Sequence, residues 1–267
     1  MIPLSGSLAQ LGEHYLDKVG VAGSSPARTI LRETRAVSRF FISLIKGGRK
    51  MRKLFDEKLE NHMAQLQEMS AVVHDQLATA MQALKTMDSA LAQKVLDADE
   101  KTNQYTVDIE RESYLIIATE QPVATDLRLI FAVLLASVDL ERIGDHACSI
   151  AEQVIEHQDK ATVESLDNIV SKMAAIGQEM LVDAIKTFET RDVDLAMEIA
   201  DRDDAIDAGL QQVLKESKNM LKSQQEPPMT SISYIRIANN LERIGDYITN
   251  LCERVVYLET HRIMELG

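Results

Sequence analysis

A segment of about a hundred residues is written twice in this chain, and that duplication limits the folds open to it. Leu140-Glu141-Arg142-Ile143-Gly144-Asp145 returns unchanged as Leu241-Glu242-Arg243-Ile244-Gly245-Asp246. Upstream, Met69 to Asp99 aligns without a gap on Met173 to Asp203, with Leu77 on Leu181, Thr86 on Thr190, Asp88 on Asp192 and Asp97 on Asp201. The offset is 104 residues there and 101 at the hexads, so the second copy is shorter by three residues. The loss is placed most simply near the prolines, Pro122 in one copy and Pro227-Pro228 in the other. The period is too long for a solenoid repeat, so each copy must be a small domain with an apolar face of its own.

Composition decides which kind of domain. Aromatic residues are 4% of the chain, Trp is absent, and 5 Pro and 11 Gly interrupt a sequence rich in Ala, Leu and Met. That mix favours long helices over sheets. Leu66, Met69, Val73, Leu77, Met81 and Leu84 recur at the three/four spacing of a buried helical stripe. Asp88 is placed to cap a second helix. Gln121-Pro122 ends it, because a residue before proline avoids the helical region. A third helix is expected from about 123 to 157. The second copy repeats the plan at about 164–190, 192–223 and 229–264, after a linker at 158–163. Short links make neighbouring helices antiparallel. The expected fold is all-α: six long helices in two tandem up-down-up three-helix bundles, 51–158 and 164–267, behind a non-conforming extension at 1–50.

That extension differs in charge and pattern. The chain carries a net charge of −13, yet residues 1–50 hold an excess of five positive charges, leaving −18 on the remainder. Residues 7–29 show no sustained helical period and resemble the peptide obtained when a tRNA gene is read as protein. The start is therefore expected at Met51, with 1–50 outside the fold; a basic amphipathic arm on an anionic membrane is the other reading. A body this acidic is a poor nucleic-acid binder and a good cation binder. No run of 18 apolar residues occurs, so no membrane span is expected. Phe40-Phe41-Ile42-Ser43-Leu44-Ile45 is too short for one and lacks a cleavage-type flank. Cys148 and Cys252 have no metal-site spacing and read as reduced core thiols of a cytosolic protein.

The duplicated hexad poses an electrostatic problem. Glu141 and Asp145, like Glu242 and Asp246, lie four apart on one helix face, where like charges cost about 0.2–0.5 kcal/mol. Glu152 and Glu253, seven further on, join the same face. The start of each second helix adds Asp99-Glu100 and Asp203-Asp204, followed by Asn103 and Asp207 at the same four-residue spacing. Two antiparallel helices could set these pairs across a groove and hold a hard cation such as Mg²⁺, Mn²⁺ or iron. The competing reading is a solvated acidic face tied by Arg142 and Arg243, which by itself does not require an identical hexad twice, since exposed ion pairs contribute about 0–1 kcal/mol. Gly144 and Gly245 each cost a helix interior about 1 kcal/mol relative to Ala, which a close approach by a neighbour or ligand would explain.

Enzyme chemistry has little support. The Glu-x-x-His pairs of di-iron bundles, HExxH, phosphate-binding loops and nucleophile elbows are all missing. His146 is replaced by Tyr247 in the other copy, and His62, His74, His157 and His261 each read as surface or helix-end histidines rather than ligands.

Two three-helix units, each with Glu-Arg-Ile-Gly-Asp on its third helix, resemble the PhoU family of phosphate-specific transport. The resemblance covers about 54–265 and includes Gln121 to Arg128, Asp139 to Ala147, Ile150-Ala151-Glu152, and an ending from Cys252 to Leu266 similar to that of PhoU proteins from Gram-positive bacteria. It implies a non-catalytic cytoplasmic homodimer, held at the inner face of the membrane through its partners. Those are the ATPase subunit of the phosphate ABC transporter and a sensor histidine kinase. It implies repression of the phosphate-starvation response, restraint of uptake, and a bound metal (iron, manganese, zinc or magnesium). Carried onto this sequence, the ligands are Glu141, Asp145, Glu242, Asp246, Asp99, Asp203 and Asp207. Asn103 departs from the acidic pattern and weakens the first site by one charge. Glu100, Arg142, Glu152, Asp204, Arg243 and Glu253 stand beside them. A carboxylate-metal hydrolase and a plain helical scaffold are the alternatives.

Overall fold

The computed structural model describes residues 25–157, 163–223 and 228–266, with side chains from Arg52 onward except that of His157. All regular structure among them is helical: α1 (Ser25–Thr86), α2 (Ser89–Glu120), α3 (Thr125–His157), α4 (Glu164–Thr190), α5 (Val193–Asp201), α6 (Asp203–Ser223) and α7 (Pro228–Thr260). None of these helices is long and apolar enough to cross a membrane. Contacts divide the chain into two compact units, Met1–Asp56 and Glu57–Gly267. In the first, the backbone is helical from Ser25, and the Arg52 guanidinium pairs with Asp56 at 2.8 Å and lies over the Phe55 ring. The readings made for residues 1–24 lie outside the described residues.

Both repeats belong to the second unit and share one apolar core. Leu66, Met69, Val73 and Leu77, the stripe expected from spacing, are fully buried, as are Leu181, Ala184 and Ile248 of the second repeat. In the first repeat α2 lies against α3; in the second α4, α5 and α6 all meet α7; and α3 packs on α7 to join the repeats. The joint carries counterpart residues face to face: the His146 ring stacks on Tyr247, with centroids 5.7 Å apart.

The duplication extends to the turns. Met87 and Arg191, equivalent positions, both take left-handed φ values of 50° and 57° to end a helix. Asp88 and Asp192 then cap the next one: Asp88 accepts from the Ala90 and Leu91 N–H groups, and Asp192 from that of Leu195. Replacing either with Ala is expected to cost about 1 kcal/mol. Urea denaturation of Asp88→Ala and Asp192→Ala should show both losses, with the larger at Asp88, whose carboxylate satisfies two donors.

Three expectations need correction. The third helix starts at Thr125 rather than 123, because Gln121 and Ala124 both hold left-handed φ angles on either side of Pro122. The helix expected over 192–223 is broken at Arg202, where N–H bonds run from Arg202 to Ile199 O and from Ala205 to Arg202 O. The Arg202 guanidinium pairs with Asp183 on α4 and Glu198 on α5. The first repeat has Ala98 there, and α2 runs through unbroken. His62 is no surface histidine: it is 1% exposed and bonded to Ser113 Oγ at 2.9 Å. Burial pulls its pKa down to about 4, so it is neutral at physiological pH.

Candidate functional site

In the second repeat, α7 presents Glu242, Arg243, Gly245, Asp246, Thr249 and Glu253 on successive turns. The first turns of α6 present Asp203, Asp204 and Asp207. These two helices pack together, so the four-spaced pairs read from the sequence meet. A cleft of about 430 Å³ opens between them, lined by Asp203, Asp207, Asp246, Thr249 and Glu253, and Arg243 is the one basic residue in that lining among the described residues. The chain's end forms one wall: the Leu266 N–H donates to Glu253 Oε1 at 2.9 Å, and Glu265 and Leu266 line the cleft.

Gly245 lets this approach happen. A Cβ there would fall well inside the contact radius of Asp203 Oδ1 and crowd Ile206 Cδ1 at 3.2 Å. The Asp203 carboxylate thus lies against the α7 backbone, and its Oδ1 is buried with no hydrogen-bond partner. Burial, reinforced by Asp207, Asp246, Glu242 and Asp204, pushes its pKa up to about 7. Glu242 and Asp246 are also raised, by burial first; His146 of the first repeat opposes the rise in both.

The first repeat has the same backbone plan with different closure. Gly144 faces Thr102 Cγ2 and Gln76 Oε1, both at 3.3 Å, and those two residues share a buried hydrogen bond of 2.7 Å. Asp99 Oδ2 accepts from the Asn103 amide at 3.0 Å, and the Cys148 thiol lies 3.7 Å from both Asp99 Oδ1 and Val95 O, with one proton to give to either. Burial and the neighbouring Asp99 carboxylate push Cys148 up to about 12, so it remains a thiol. Glu141 is raised by burial and by Asp145 and Asp99, against Arg142. Glu100 is exposed.

The arginines of the hexads answer part of the electrostatic problem. Arg142 reaches Glu141 at 3.6 Å and Asp145 at 3.2 Å, and Arg243 repeats both distances on Glu242 and Asp246. Each guanidinium spans the carboxylate pair that spacing alone left unexplained. Among the described residues, no three His, Cys, Asp or Glu side chains converge closely enough to cage an ion as they stand. Neither arginine is paired with Asp203, whose buried Oδ1 has no hydrogen-bond partner.

Two residues here were not singled out as site residues by their sequence. Cys148, read as a core thiol, is half-buried with its sulfur 3.7 Å from Asp99 Oδ1, whereas Cys252 is buried as expected. Thr249, its repeat counterpart, holds a buried hydroxyl beside the cleft. The aligned pair Cys148/Thr249 was the available signal: a thiol and a hydroxyl at one site-facing position.

A model of the PhoU domain matches residues 66–154 and again 170–255. The chain belongs to the PhoU domain family. Each PhoU match contains one hexad and its opposing acidic pair. A Thermotoga maritima protein named phosphate-specific transport system accessory protein PhoU homolog 1 is 34% identical over 212 residues, covering 79% of this chain and 91% of the relative. The crystal structure of the phosphate transport system regulatory protein PhoU from Streptococcus pneumoniae matches with a TM-score of 0.74 at 30% identity, over 79% of this chain and all of that one. The crystal structure of PhoU from Pseudomonas aeruginosa gives 0.74 at 32% identity, over 78% of this chain and all of that one. The names of the first two of these relatives call them an accessory and a regulatory protein, and this chain carries the PhoU domain twice in tandem.

Proposed function

We propose that the chain is a cytoplasmic accessory protein of phosphate-specific transport that works by binding and not by catalysis. In this reading a homodimer couples the ATPase subunit of the phosphate ABC transporter to a sensor histidine kinase. It represses the starvation response and restrains uptake when phosphate is plentiful. The observation that carries the reading is the match of both repeats, hexads included, to relatives named for this system over nearly their whole length.

Metal belongs to the same proposal. Asp203, Asp207, Glu242 and Asp246 would hold a cation in the second repeat, and Asp99, Asn103, Glu141 and Asp145 in the first. The unpartnered Asp203 Oδ1 fits a cation, because a buried acceptor left unmade costs about 1–3 kcal/mol. A divalent ion supplies positive charge between the second and third helices of a repeat, fixing the face that a partner meets.

The plain-scaffold alternative keeps one observation in its favour, the arginines that already span each acidic pair. Deleting the chain in its host is expected to derepress a phosphate-starvation reporter in phosphate-rich medium and to raise phosphate uptake. Wild-type chain restores both, and a Glu141→Gln/Glu242→Gln/Asp203→Asn variant does not. An unchanged reporter in the deletion strain sinks the regulatory reading. Full rescue by the neutralised variant favours the scaffold.

A further inference from the structure

Between the first and second helices, the first repeat leaves open a place that the second repeat fills from within. A cleft of about 250 Å³ is lined there by Asp75, Gln76 and Thr79 on α1 and by Lys94, Ala98 and Lys101 on α2. The aligned residues of the second repeat are Asp183 for Thr79, Glu198 for Lys94 and Arg202 for Ala98. In that repeat the Arg202 guanidinium pairs with Asp183 at 2.7 Å and Glu198 at 3.0 Å, one cation held between two carboxylates. The first repeat has no arginine, a lysine in place of one carboxylate and a hydroxyl in place of the other. Among the described residues Lys94 and Lys101 form no ion pair, and Lys101 Nζ stands 5.9 Å from the Tyr105 ring centroid. Gln76 adds an independent observation. It is 3% exposed, where its counterpart Met180 is apolar and fully buried. Its Oε1 accepts from the Thr102 hydroxyl at 2.7 Å, while its Nε2 is buried with no hydrogen-bond partner. Native structures rarely leave such a donor unmet.

We propose that this cleft binds a small oxyanion of the phosphate class, with Lys94 and Lys101 supplying the charge and Gln76 Nε2 and Thr79 Oγ1 the neutral donors. Two ammonium groups against one exposed carboxylate, Asp75, leave the lining positive in a chain whose net charge is −13. Hydrogen bonds from ammonium groups to phosphate oxygens are charge-assisted and stronger than neutral ones. The volume falls below the roughly 300 Å³ at which pockets for drug-sized ligands begin, so it suits a free ion or the phosphoryl end of a small ester. The second repeat is closed to the same ligand, because Asp183 and Glu198 repel an anion and Arg202 is already paired. Arg202 ties the first helix of its repeat to the second; a bound oxyanion does the same in the first repeat with the charges exchanged. This site is separate from the acidic cleft and independent of the metal reading.

The test is equilibrium dialysis of the full chain against radiolabelled inorganic phosphate, with metal removed on a chelating resin and ionic strength held constant with chloride. One phosphate per chain is expected. Lys94→Gln and Lys101→Gln each weaken it about fivefold or more, and Gln76→Met, which copies the second repeat, about threefold or more. Asp75→Asn strengthens it, because the opposing charge is gone. Thr79→Asp/Lys94→Glu/Ala98→Arg rebuilds the ion pair of the second repeat and abolishes binding. Lys215→Gln, which removes an exposed lysine of α6, leaves the affinity within about twofold. Glycerol phosphate added as competitor identifies the source: displacement at a lower concentration than unlabelled phosphate points to an ester, and at a higher one to the free ion. Circular dichroism separates lost binding from lost fold. Where the triple variant or Gln76→Met fails to fold, the opposite signs of Lys94→Gln and Asp75→Asn, both at exposed positions, carry the test. No phosphate retained by the wild type, a Lys215→Gln loss as large as that of Lys94→Gln, or normal binding by a folded triple variant overturns the inference.

Discussion

Arg254→Leu is expected to destabilise the protein by about 3–5 kcal/mol, the range for breaking a buried ion pair by removing one partner. Arg254 on α7 donates to Asp139 on α3, with Nε at 2.7 Å and a terminal nitrogen at 2.5 Å from the same oxygen, Oδ2. Asp139 is 6% exposed. Burial raises its pKa even though Arg254 and Asn250 pull it down, so the carboxylate is held against a strong desolvation force. Without the arginine it must stay charged and unpaired or take up a proton, and either outcome loosens the joint between the repeats. The duplication provides the control. The equivalents of Asp139 and Arg254 are Asn240 and Gln153, both neutral, with Asn240 bonded to His146 and Gln153 to Arg236 and Glu156. Asp139→Asn/Arg254→Gln copies them and should lose less than half as much as Arg254→Leu. Urea denaturation with a constant m-value reads both. A double variant as unstable as the single one would contradict the desolvation argument.

The fold was legible because it is periodic and repeated. The stripe from Leu66 to Leu84, the cap at Asp88 and the break at Pro122 are local signals, each visible within a few residues and each present again in the second copy. The break at Arg202 was not visible. Val193 to Ser223 contains no proline, and the interruption falls where Arg202 makes a tertiary ion pair to Asp183 on α4 beside its local i,i+4 pair to Glu198. His62 failed for a related reason. It sits among polar residues, and the Ser113 that meets its ring inside the fold lies 51 residues away in sequence. In the site, spacing correctly placed Asp203 and Asp207 opposite Glu242 and Asp246. It could not show that Arg142 and Arg243 each bridge their own pair, because i to i+3 reach depends on rotamers. Nor could it show which glycine mattered more. Gly144 and Gly245 sit in identical hexads, yet one faces a Thr102 methyl and the other the Asp203 carboxylate.

Asp203→Asn should stabilise the metal-free protein above neutral pH, reversing the usual outcome of altering a half-buried polar residue. Folding lifts the Asp203 pKa from 3.8 to about 7, through burial and through Asp207, Asp246, Glu242 and Asp204. A carboxyl whose folded pKa is raised binds its proton more tightly in the native state than in the unfolded one. Below about pH 4 both states are protonated and the group is neutral in effect. Between about pH 4 and pH 7 the native state keeps a proton the unfolded state has lost, and stability falls as pH rises. Above about pH 7 the native carboxylate is ionised among its neighbours and the full penalty is present. Each tenfold gain in proton affinity corresponds to about 1.4 kcal/mol, and solvent screening of a partly open side chain reduces the total to about 1–2 kcal/mol. With chelator present, Asp203→Asn should therefore melt about 2–8 °C above wild type at pH 8 and match it at pH 4. The amide retains the shape that fits against Gly245 and drops the charge. With Mn²⁺ added the order should reverse, since a cation bound only by the native wild type stabilises it by mass action. A variant that melts below wild type in chelator at pH 8 would show that the Asp203 carboxylate is held by a stabilising contact and is not a charge awaiting a partner.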